Sequence, residues 1–301
     1  MVAAVTVRGV GDAIGEQEQA VAKQPGPEFK RAAEGTEERS SQHGFDTVLP
    51  AAGTHAFGID VGGSGIKGGI VDLDTGELIG DRQRIDTPQP ATPDAVATTV
   101  TELVGRFDYD GPVGLTLPCV IKAGTARTAA NVDPAWIGTD ALALFTTALP
   151  GRTLTVLNDA DAAGMAENRY GAGKGVDGVV VLLTFGTGIG SAVIQDGVLL
   201  PNTELGHLQV HGHEAEHLAA ASVKEAKGLS WQDWAPRVSE VLRTLEDLLW
   251  PDLFILGGGV SRKAEKWIPL LENRTPVVGA SLRNTAGIVG AALAVATGVA
   301  P

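Results

Sequence analysis

Short apolar runs bounded by glycines and polar residues recur along the chain from about residue 55 onward. Their length and their content of Val, Ile and Phe are typical of buried strands. One longer segment has helical spacing and follows Thr92, a predicted N-cap. The pattern predicts the order strand, strand, strand, helix and strand, at residues 56–59, 68–71, 78–84, 93–107 and 112–117.

The second half of the chain repeats this alternation. A strand at residues 153–157 ends at Asn158 and Asp159, and a helix over residues 160–170 follows it. A strongly apolar strand begins near residue 178, ends in glycines and continues as a second strand to residue 194. The remaining predicted elements are a short helix at 139–148, a long helix at 231–250, a strand at 251–256 with a glycine turn and a helix after it, and a small-residue helix at 287–297.

Four residues, Gly62 to Gly65, join the first two predicted strands, between Asp60 and Lys67. Glycines allow several backbone N–H groups to converge on one oxyanion. Lys67 adds a cation, and Asp60 could hold a metal ion directly or through water. The spacing fits neither the P-loop nor the dinucleotide fingerprint. A plain glycine-rich hairpin is the alternative interpretation.

The same turn occurs twice in the chain. Gly63-Ser64-Gly65-Ile66 aligns with Gly186-Thr187-Gly188-Ile189, each between two predicted strands, at a constant offset of 123 residues (186 minus 63). Such a repeat predicts two similar halves that face one another across a cleft. Two turns of this kind favour a site that handles a phosphate chain.

A pair of polar residues, Asn158 and Asp159, stands where a buried strand ends and a helix begins. Ligands in open α/β sheets gather at the carboxyl ends of strands, which favours a functional carboxylate here. The alternative is structural, because Asp159 or Asp161 could cap the helix.

Composition narrows the class of protein. The chain has 44% hydrophobic residues, 40 glycines and 5% aromatic residues, which is typical of an α/β protein with many tight turns. A net charge of −13 argues against a nucleic-acid partner. A single cysteine cannot form an internal disulfide, and no apolar run reaches the length of a membrane span. We therefore expect a cytoplasmic protein without a membrane partner.

The chain divides into three predicted parts. Residues 1–53 are punctuated by Gly, Pro, Glu and Gln and predict a disordered leader, since they have no apolar periodicity that would favour a DNA-binding arm. Residues 54–158 are expected to form a small α/β domain and residues 159–301 a large one. The C-terminal helix, 286–299, is expected to pack back on the small domain.

Seven motifs stand in one order between residue 56 and about residue 299: DVGGSGIKGG, TLPCVI, AANVDPAWIG, LNDADAAGMAE, LLTFGTGIGSA, ELGH and WPDLFILGGGVS. Together they resemble the ROK family of sugar kinases, and more specifically its actinobacterial branch whose members use inorganic polyphosphate. The resemblance implies an α/β, two-lobed, actin-like (hexokinase-type, ribonuclease H-like) ATPase fold with internal duplication.

The resemblance implies transfer of a phosphoryl group from polyphosphate, with ATP as a second donor, to the 6-hydroxyl of glucose. It makes Asp159 the catalytic base and implies Mg²⁺ as cofactor, held by Asp60. Sugar contacts are implied for Asn131, Asp133, Asn158, Glu204 and His207. Donor contacts are expected for Asp60, Gly62, Gly63, Ser64, Lys67, Gly186, Thr187, Gly188, Gly258, Lys263 and Lys266.

Several alternatives stay open at this point. An ATP-dependent glucokinase or glucomannokinase of the same family is the runner-up, and a non-catalytic sugar-sensing regulator is the alternative outside enzymes. Many ROK proteins have a cysteine-rich zinc site after ExGH, but no cysteine follows His207 here, so no zinc site is expected. The tryptophans are interpreted as packing residues, with Trp136 the best candidate for a sugar platform. The resemblance also implies a homodimer.

Overall fold

The computed structural model describes residues 54–299 and residue 301, and the predicted leader lies outside the described residues. The described part contains fourteen strands. In chain order they are β1 His55–Val61, β2 Ile66–Asp72, β3 Leu78–Ile85, β4 Val113–Leu117, β5 Ile121–Lys122, β6 Thr125–Ala126, β7 Leu154–Asn158, β8 Val179–Phe185, β9 Ile189–Gln195, β10 Val198–Leu200, β11 Gln209–Val210, β12 His213–Glu214, β13 Leu253–Gly258 and β14 Val277–Gly279.

Seven α-helices connect these strands within the described residues. They are α1 Pro93–Val104, α2 Ala141–Ala148, α3 Asp159–Tyr170, α4 Ala215–Ala219, α5 Ala221–Ala226, α6 Trp231–Leu249 and α7 Ala286–Thr297. Short 3₁₀ segments add the remaining turns, at Pro134–Trp136, Leu205–His207, Gly259–Lys266, Ile268–Leu270 and Arg283–Thr285.

Two five-stranded sheets share one topology. The first sheet has the order β3-β2-β1-β4-β7, and the second has β10-β9-β8-β13-β14. In both, the first three strands pair antiparallel and the last two join in parallel. The first glycine turn joins β1 to β2, and the second joins β8 to β9, at the corresponding place in the two sheets. The internal duplication predicted from the glycine turns is therefore confirmed.

Helices α3 and α7 lie together and bring the two sheets into one structure. Helix α7 packs on β1 and β4, and α3 packs on α7 and β9. The approach is close: a Cβ built on Gly58 would lie 1.8 Å from the Ile288 carbonyl oxygen, and one on Gly290 would lie 1.8 Å from that of Ala162. Backbones that meet at this distance require glycine. The small-residue composition of α7 follows from this packing.

Each sheet has its own apolar core. Phe57, Leu115 and Phe145 belong to the core of the first, with no exposed surface. Phe185 and Trp234 belong to the core of the second. The predicted boundaries between domains, at residues 158 and 159, stay a prediction.

Two sequence-based predictions about local structure have definite outcomes. Helix α1 begins as predicted, because the Thr92 hydroxyl accepts from the Ala95 N–H at 3.4 Å. The helix predicted after the third glycine turn is wrong, because Gly259–Lys266 is a 3₁₀ segment with non-helical backbone at Lys263. The glycines at the start of this segment favour such a tight path.

Among the helices of the described part, none is long and apolar enough to cross a bilayer.

Candidate functional site

The first glycine turn closes on itself between β1 and β2. The Gly62 N–H donates to the Gly65 carbonyl oxygen at 3.1 Å. Asn131, which has a positive φ of 60°, lies directly against the turn. A Cβ built on Gly63 would lie 2.9 Å from the Asn131 carbonyl oxygen, so only glycine allows this approach. The turn and the Asn131 segment therefore form one surface, as the predicted site requires.

Asp60, at the end of β1, is paired with two neighbours in the same sheet. The Lys67 ammonium lies 3.3 Å from its Oδ2, and the Thr116 hydroxyl donates to its Oδ1 at 3.3 Å. The Lys67 side chain is 28% exposed. The ammonium thus lies at a carboxylate inside the cleft.

Asn158 caps helix α3, and neither of the neighbouring aspartates does. Its Oδ1 accepts from the N–H groups of Ala160 at 2.8 Å and Asp161 at 3.1 Å, and its Nδ2 donates to the Cys119 carbonyl oxygen at 3.1 Å. The alternative that Asp159 or Asp161 caps the helix is wrong for this reason. Both ends of the Asn158 amide are used within the protein, so its side chain positions the start of α3.

Asp159 is the first residue of α3, and its side chain is half-buried. Burial, with the nearby charges of Asp60 and Glu204, raises its pKa to about 7. Loss of hydration disfavours the charged form, and two further carboxylates add like-charge repulsion. Its Oδ1 accepts from the Ala160 N–H at 2.8 Å. The three carboxylates come from β1, α3 and the segment after β10, so both halves of the molecule contribute to this point.

Asp161, two residues further along the same helix, has a different environment. Its Oδ2 accepts from the Asn202 N–H at 2.7 Å, and its Oδ1 is buried without a hydrogen-bond partner among the described residues. Burial raises its pKa to about 7. The Asn202 side chain in turn binds Ile121, with both bonds between 2.7 and 2.8 Å. Asn202 therefore joins the two halves through Ile121, and Asp161 holds the Asn202 backbone.

A second group of polar side chains stands beside the second glycine turn. The His207 Nδ1 lies 3.2 Å from Glu214 and 4.0 Å from Glu216, and its Nε2 lies 4.0 Å from Glu204. The hydrogen bond with Glu214 raises the pKa of His207. Burial raises the pKa of Glu204, against the opposing effect of His207. The structure thus places both predicted residues of ELGH, Glu204 and His207, close to one another.

Glu216 is a site residue that the sequence analysis missed. Its Oε2 accepts from the Ile189 N–H at 3.4 Å, at the end of the second turn. A Cβ on Gly188 would lie 2.3 Å from the same oxygen. The signal in the sequence is the density of Glu and His from residue 204 to 217, which does not by itself show which backbone group Glu216 meets. Helix α4 folds that segment back against the turn.

The second turn opens into a cavity of about 400 Å³. The start of α5 is fixed to the turn, because the Ser222 N–H donates to Gly186 at 3.1 Å and its hydroxyl to Thr187 at 2.6 Å. Gly258 has a φ of 84° and lies against Phe185, which places the third glycine turn next to the second. The cavity is lined by Phe185, Gly186, Thr187, Ala221, Ser222, Lys224, Glu225, Trp231, Gly259, Val260 and Lys263.

Comparison with known families places the chain. The model of the ROK family matches residues 56–228, more than half of the chain. The chain belongs to the ROK family. The resemblance inferred from the motifs is confirmed, and so is the α/β fold with two similar halves.

Individual relatives agree with the family. The polyphosphate glucokinase of Mycobacterium tuberculosis (strain CDC 1551 / Oshkosh) is 65% identical over 240 residues, which cover 80% of this chain and 91% of that protein. The polyphosphate glucokinase of Mycobacterium leprae (strain TN) is 60% identical over 249 residues, 83% of this chain and 77% of that protein. The crystal structure of inorganic polyphosphate/ATP-glucomannokinase from Arthrobacter sp. strain KM is similar with a TM-score of 0.77 and 51% identity. The aligned region covers 81% of this chain and 99% of the Arthrobacter chain.

Four further residues that the sequence analysis of this ROK protein singled out have different surroundings in the structure. The Asp133 Oδ1 accepts from the Ala135 N–H at 2.8 Å, so part of its carboxylate holds the 3₁₀ turn that follows. Lys263 lines the cavity, whereas Lys266 is exposed and does not. Trp136 as a sugar platform is wrong, because its side chain has no exposed surface and its indole N–H donates to Ala91 at 3.0 Å.

Three groups near ELGH have the geometry of a possible metal site. Ligand atoms of His207, Glu214 and Glu216 lie within 4.8 Å of one another. Each of them also has a protein partner, since Glu214 and Glu216 hold His207 and Glu216 accepts from the second turn. The single cysteine, Cys119, is buried elsewhere, and burial raises the pKa of its thiol to about 12. The expectation of no zinc site stays a prediction.

Proposed function

We propose that this chain transfers the terminal phosphoryl group of inorganic polyphosphate to the 6-hydroxyl of glucose and forms glucose 6-phosphate. The Asp159 carboxyl group carries this proposal, because the charges of Asp60 from one half and Glu204 from the other, together with desolvation, raise its pKa to about 7. The relatives named polyphosphate glucokinase support the same substrates.

Asp159 acts as the general base in this proposal. Phosphoryl transfer needs an oriented hydroxyl, stabilisation of the charge on the phosphate, and a group that accepts the hydroxyl proton. A carboxyl group with a pKa of about 7 is partly ionised at neutral pH and binds a proton more strongly than an ordinary aspartate. Its Oδ1 is held by the start of α3, so it is fixed before the sugar binds.

The acceptor sugar is bound by the polar groups around Asp159. Glu204, His207 and Glu216 offer carboxylate oxygens and a ring nitrogen from the second half, and Asn131 and Asp133 approach from the first. Groups of this kind bind sugar hydroxyls in pairs. Asn158 acts indirectly, by positioning the first turn of α3. Closure of the two halves over the sugar would exclude water as a competing acceptor.

The donor phosphates are bound by the glycine turns. The N–H groups of Gly62 and Gly186 each close their own turn, onto Gly65 at 3.1 Å and Gly188 at 2.9 Å, so the neighbouring N–H groups of Gly63 and Thr187 are the ones that would bind phosphate. Ser64 adds a hydroxyl on the first turn. The Lys67 ammonium, 3.3 Å from Asp60, stands between the turn and the carboxylates.

The residues near Asp60 fit a Mg²⁺ ion. Asp60 and Asp159 influence one another electrostatically, and Lys67 is the cation paired with Asp60 among the described residues. Hard oxygen ligands next to a phosphate chain are the environment that Mg²⁺ prefers, directly or through water. Mg²⁺ held by Asp60 would supply charge neutralisation for the transferred phosphoryl group.

A second donor and a second sugar are favoured by one relative. The structure of a polyphosphate/ATP-glucomannokinase at 51% identity supports ATP as an additional donor and mannose as an additional acceptor. A homodimer remains part of the proposal through the family resemblance alone. A sugar-sensing regulator without activity is the competing function, and it predicts glucose binding without turnover.

The decisive test is a coupled assay of glucose 6-phosphate with polyphosphate as the only donor and purified, nucleotide-free protein. We expect turnover with Mg²⁺, and a second series with ATP ranks the two donors. Mannose in place of glucose tests the acceptor. Glucose binding by calorimetry together with no product from either donor would contradict the proposal and favour the regulator.

A further inference from the structure

Lys224 is a cation of the donor cavity that no motif identified. It lies on α5, two residues after Ser222, which is bonded to both Gly186 and Thr187. Lys224 and Lys263 both line the cavity, with Glu225 as the carboxylate among the lining residues. The cavity therefore continues from the second glycine turn and carries a net positive charge, although the whole chain carries −13.

The Lys224 ammonium is held in a fixed position. Its Nζ lies 4.2 Å from the centroid of the Trp231 ring and donates to the Leu229 carbonyl oxygen at 2.7 Å. An ammonium over an indole face is stabilised by a cation–π interaction. An ammonium has three donors, and these contacts occupy one of them. A phosphate that binds here meets a cation whose side-chain entropy is already reduced.

We propose that Lys224, held by Trp231, binds the part of a polyphosphate chain that extends beyond the second glycine turn and so distinguishes polyphosphate from ATP. This inference rests on the proposed function, because it takes the second glycine turn as part of the donor site and follows the bonds of Ser222 from Gly186 and Thr187 to α5. A polyphosphate chain carries charge on each unit and stays anionic at this depth. ATP has an uncharged ribose and base beyond its third phosphate.

The same contact disfavours a nucleotide base on Trp231. A base needs the face of the indole ring for stacking, and the ammonium at 4.2 Å occupies it. A phosphate oxygen needs the ammonium itself and leaves the cation–π pair intact. Lys263, an exposed residue that also lines the cavity, gives the chain a second cation. Lys67 is bound to Asp60 and Lys266 is outside the cavity, so Lys224 and Lys263 define the path of the chain.

The test compares Lys224→Gln with Lys227→Gln, a matched loss of charge at an exposed lysine three residues further on. At saturating glucose, we expect Lys224→Gln to raise KM for long-chain polyphosphate about tenfold, as for the loss of one hydrogen bond to a charged group. The change in kcat and in KM for ATP should be small. Lys224→Arg should retain most of the affinity, and the salt dependence of KM should weaken in Lys224→Gln.

Calorimetry of polyphosphate binding without glucose separates this inference from the proposed function. It measures binding to the wild type and to Lys224→Gln with no turnover, so a wild type that binds polyphosphate but forms no product contradicts only the proposed function. Equal affinity of Lys224→Gln and Lys227→Gln for polyphosphate would overturn the inference. So would an equal rise in KM for ATP and polyphosphate, or a wild type that does not bind polyphosphate.

Discussion

The acceptor end and the donor end of the proposed site carry opposite charge. At the acceptor end, Asp60, Asp159 and Glu204 are gathered where burial raises the pKa of the central carboxyl group. At the donor end, Lys224 and Lys263 line a cavity of about 400 Å³ beside the second turn. One end concentrates negative charge out of water, and the other presents positive charge at the surface.

This difference shows how an acidic protein can act on a polyanion. A base must bind a proton strongly enough to take it from a hydroxyl, and burial among like charges achieves this. A donor site must attract and then release a phosphate chain, which the exposed Lys263 and the half-buried Lys224 do without the full desolvation cost of a buried charge. The net charge of the chain predicts neither end, because both depend on a few residues that the fold brings together.

Substitution at the acceptor end should have the largest effect. Asp159→Asn keeps an oxygen that can accept from the Ala160 N–H but cannot accept the sugar proton. We expect kcat to fall by about 10²- to 10⁴-fold with glucose binding retained. Steady-state kinetics and glucose calorimetry measure both. Asp108→Asn, at an exposed loop position, is the control, and wild-type turnover in Asp159→Asn would remove Asp159 from the role of base.

The next effect concerns the residue that only the structure identified. Glu216→Gln retains the shape of a side chain that accepts from the Ile189 N–H but loses its charge. We expect KM for glucose to rise by about tenfold or more, because a hydrogen bond to a charged group is lost, while KM for polyphosphate changes little. Glu77→Gln, on an exposed turn, is the control. An effect on the donor alone would place Glu216 at the other end of the cleft.

The sequence is sufficient for the parts of the site that depend on local order. The glycine turns and Asp159 stand at strand ends, and strand ends can be inferred from apolar runs and the residues that interrupt them. The repeat of the first turn at an offset of 123 residues also predicts two similar halves, and the two sheets have the same topology. These signals are local or repeated, so one sequence contains them.

Residues that act through tertiary contacts could not be predicted in this way. Glu216 reaches the second turn because α4 folds back, and Lys224 reaches the cavity because Ser222 ties α5 to the same turn. Trp136 is buried because Ala91, 45 residues earlier, accepts from its indole. A sequence gives the chemistry of such side chains but not which distant backbone they meet.

The raised pKa of Asp159 predicts how kcat/KM depends on pH. Burial and the neighbouring carboxylates raise the pKa of Asp159 to about 7, and the base must be ionised to act. We therefore expect kcat/KM to fall as the pH drops through 7, by about tenfold per unit at the acid end. Asp161 also has a pKa raised to about 7, so Asp161→Asn is the matched control. In this variant, kcat/KM should still fall as the pH drops through 7. A profile that is flat from pH 5 to 8 would contradict the buried base.

The same carboxyl group should lower stability at neutral pH, which is the smallest of these effects. The pKa of Asp159 is raised from an ordinary 3.8 to about 7, so its protonated form is favoured by folding. The contribution of this protonated carboxyl group to the free energy of unfolding is fully present below pH 4 and is lost as the pH rises through 7. Asp159→Asn cannot ionise and should match the wild type near pH 4. Above pH 7 it should unfold at a temperature higher by several degrees, since each pKa unit corresponds to about 1.4 kcal/mol.

Thermal unfolding of both proteins at pH 4 and pH 8 measures this difference. A gain that appears only at pH 8 would link stability and catalysis to the same ionisation, because the charge that weakens the fold is the one that accepts the proton. An equal shift at both pH values would instead mean that the substitution changes packing at the start of α3.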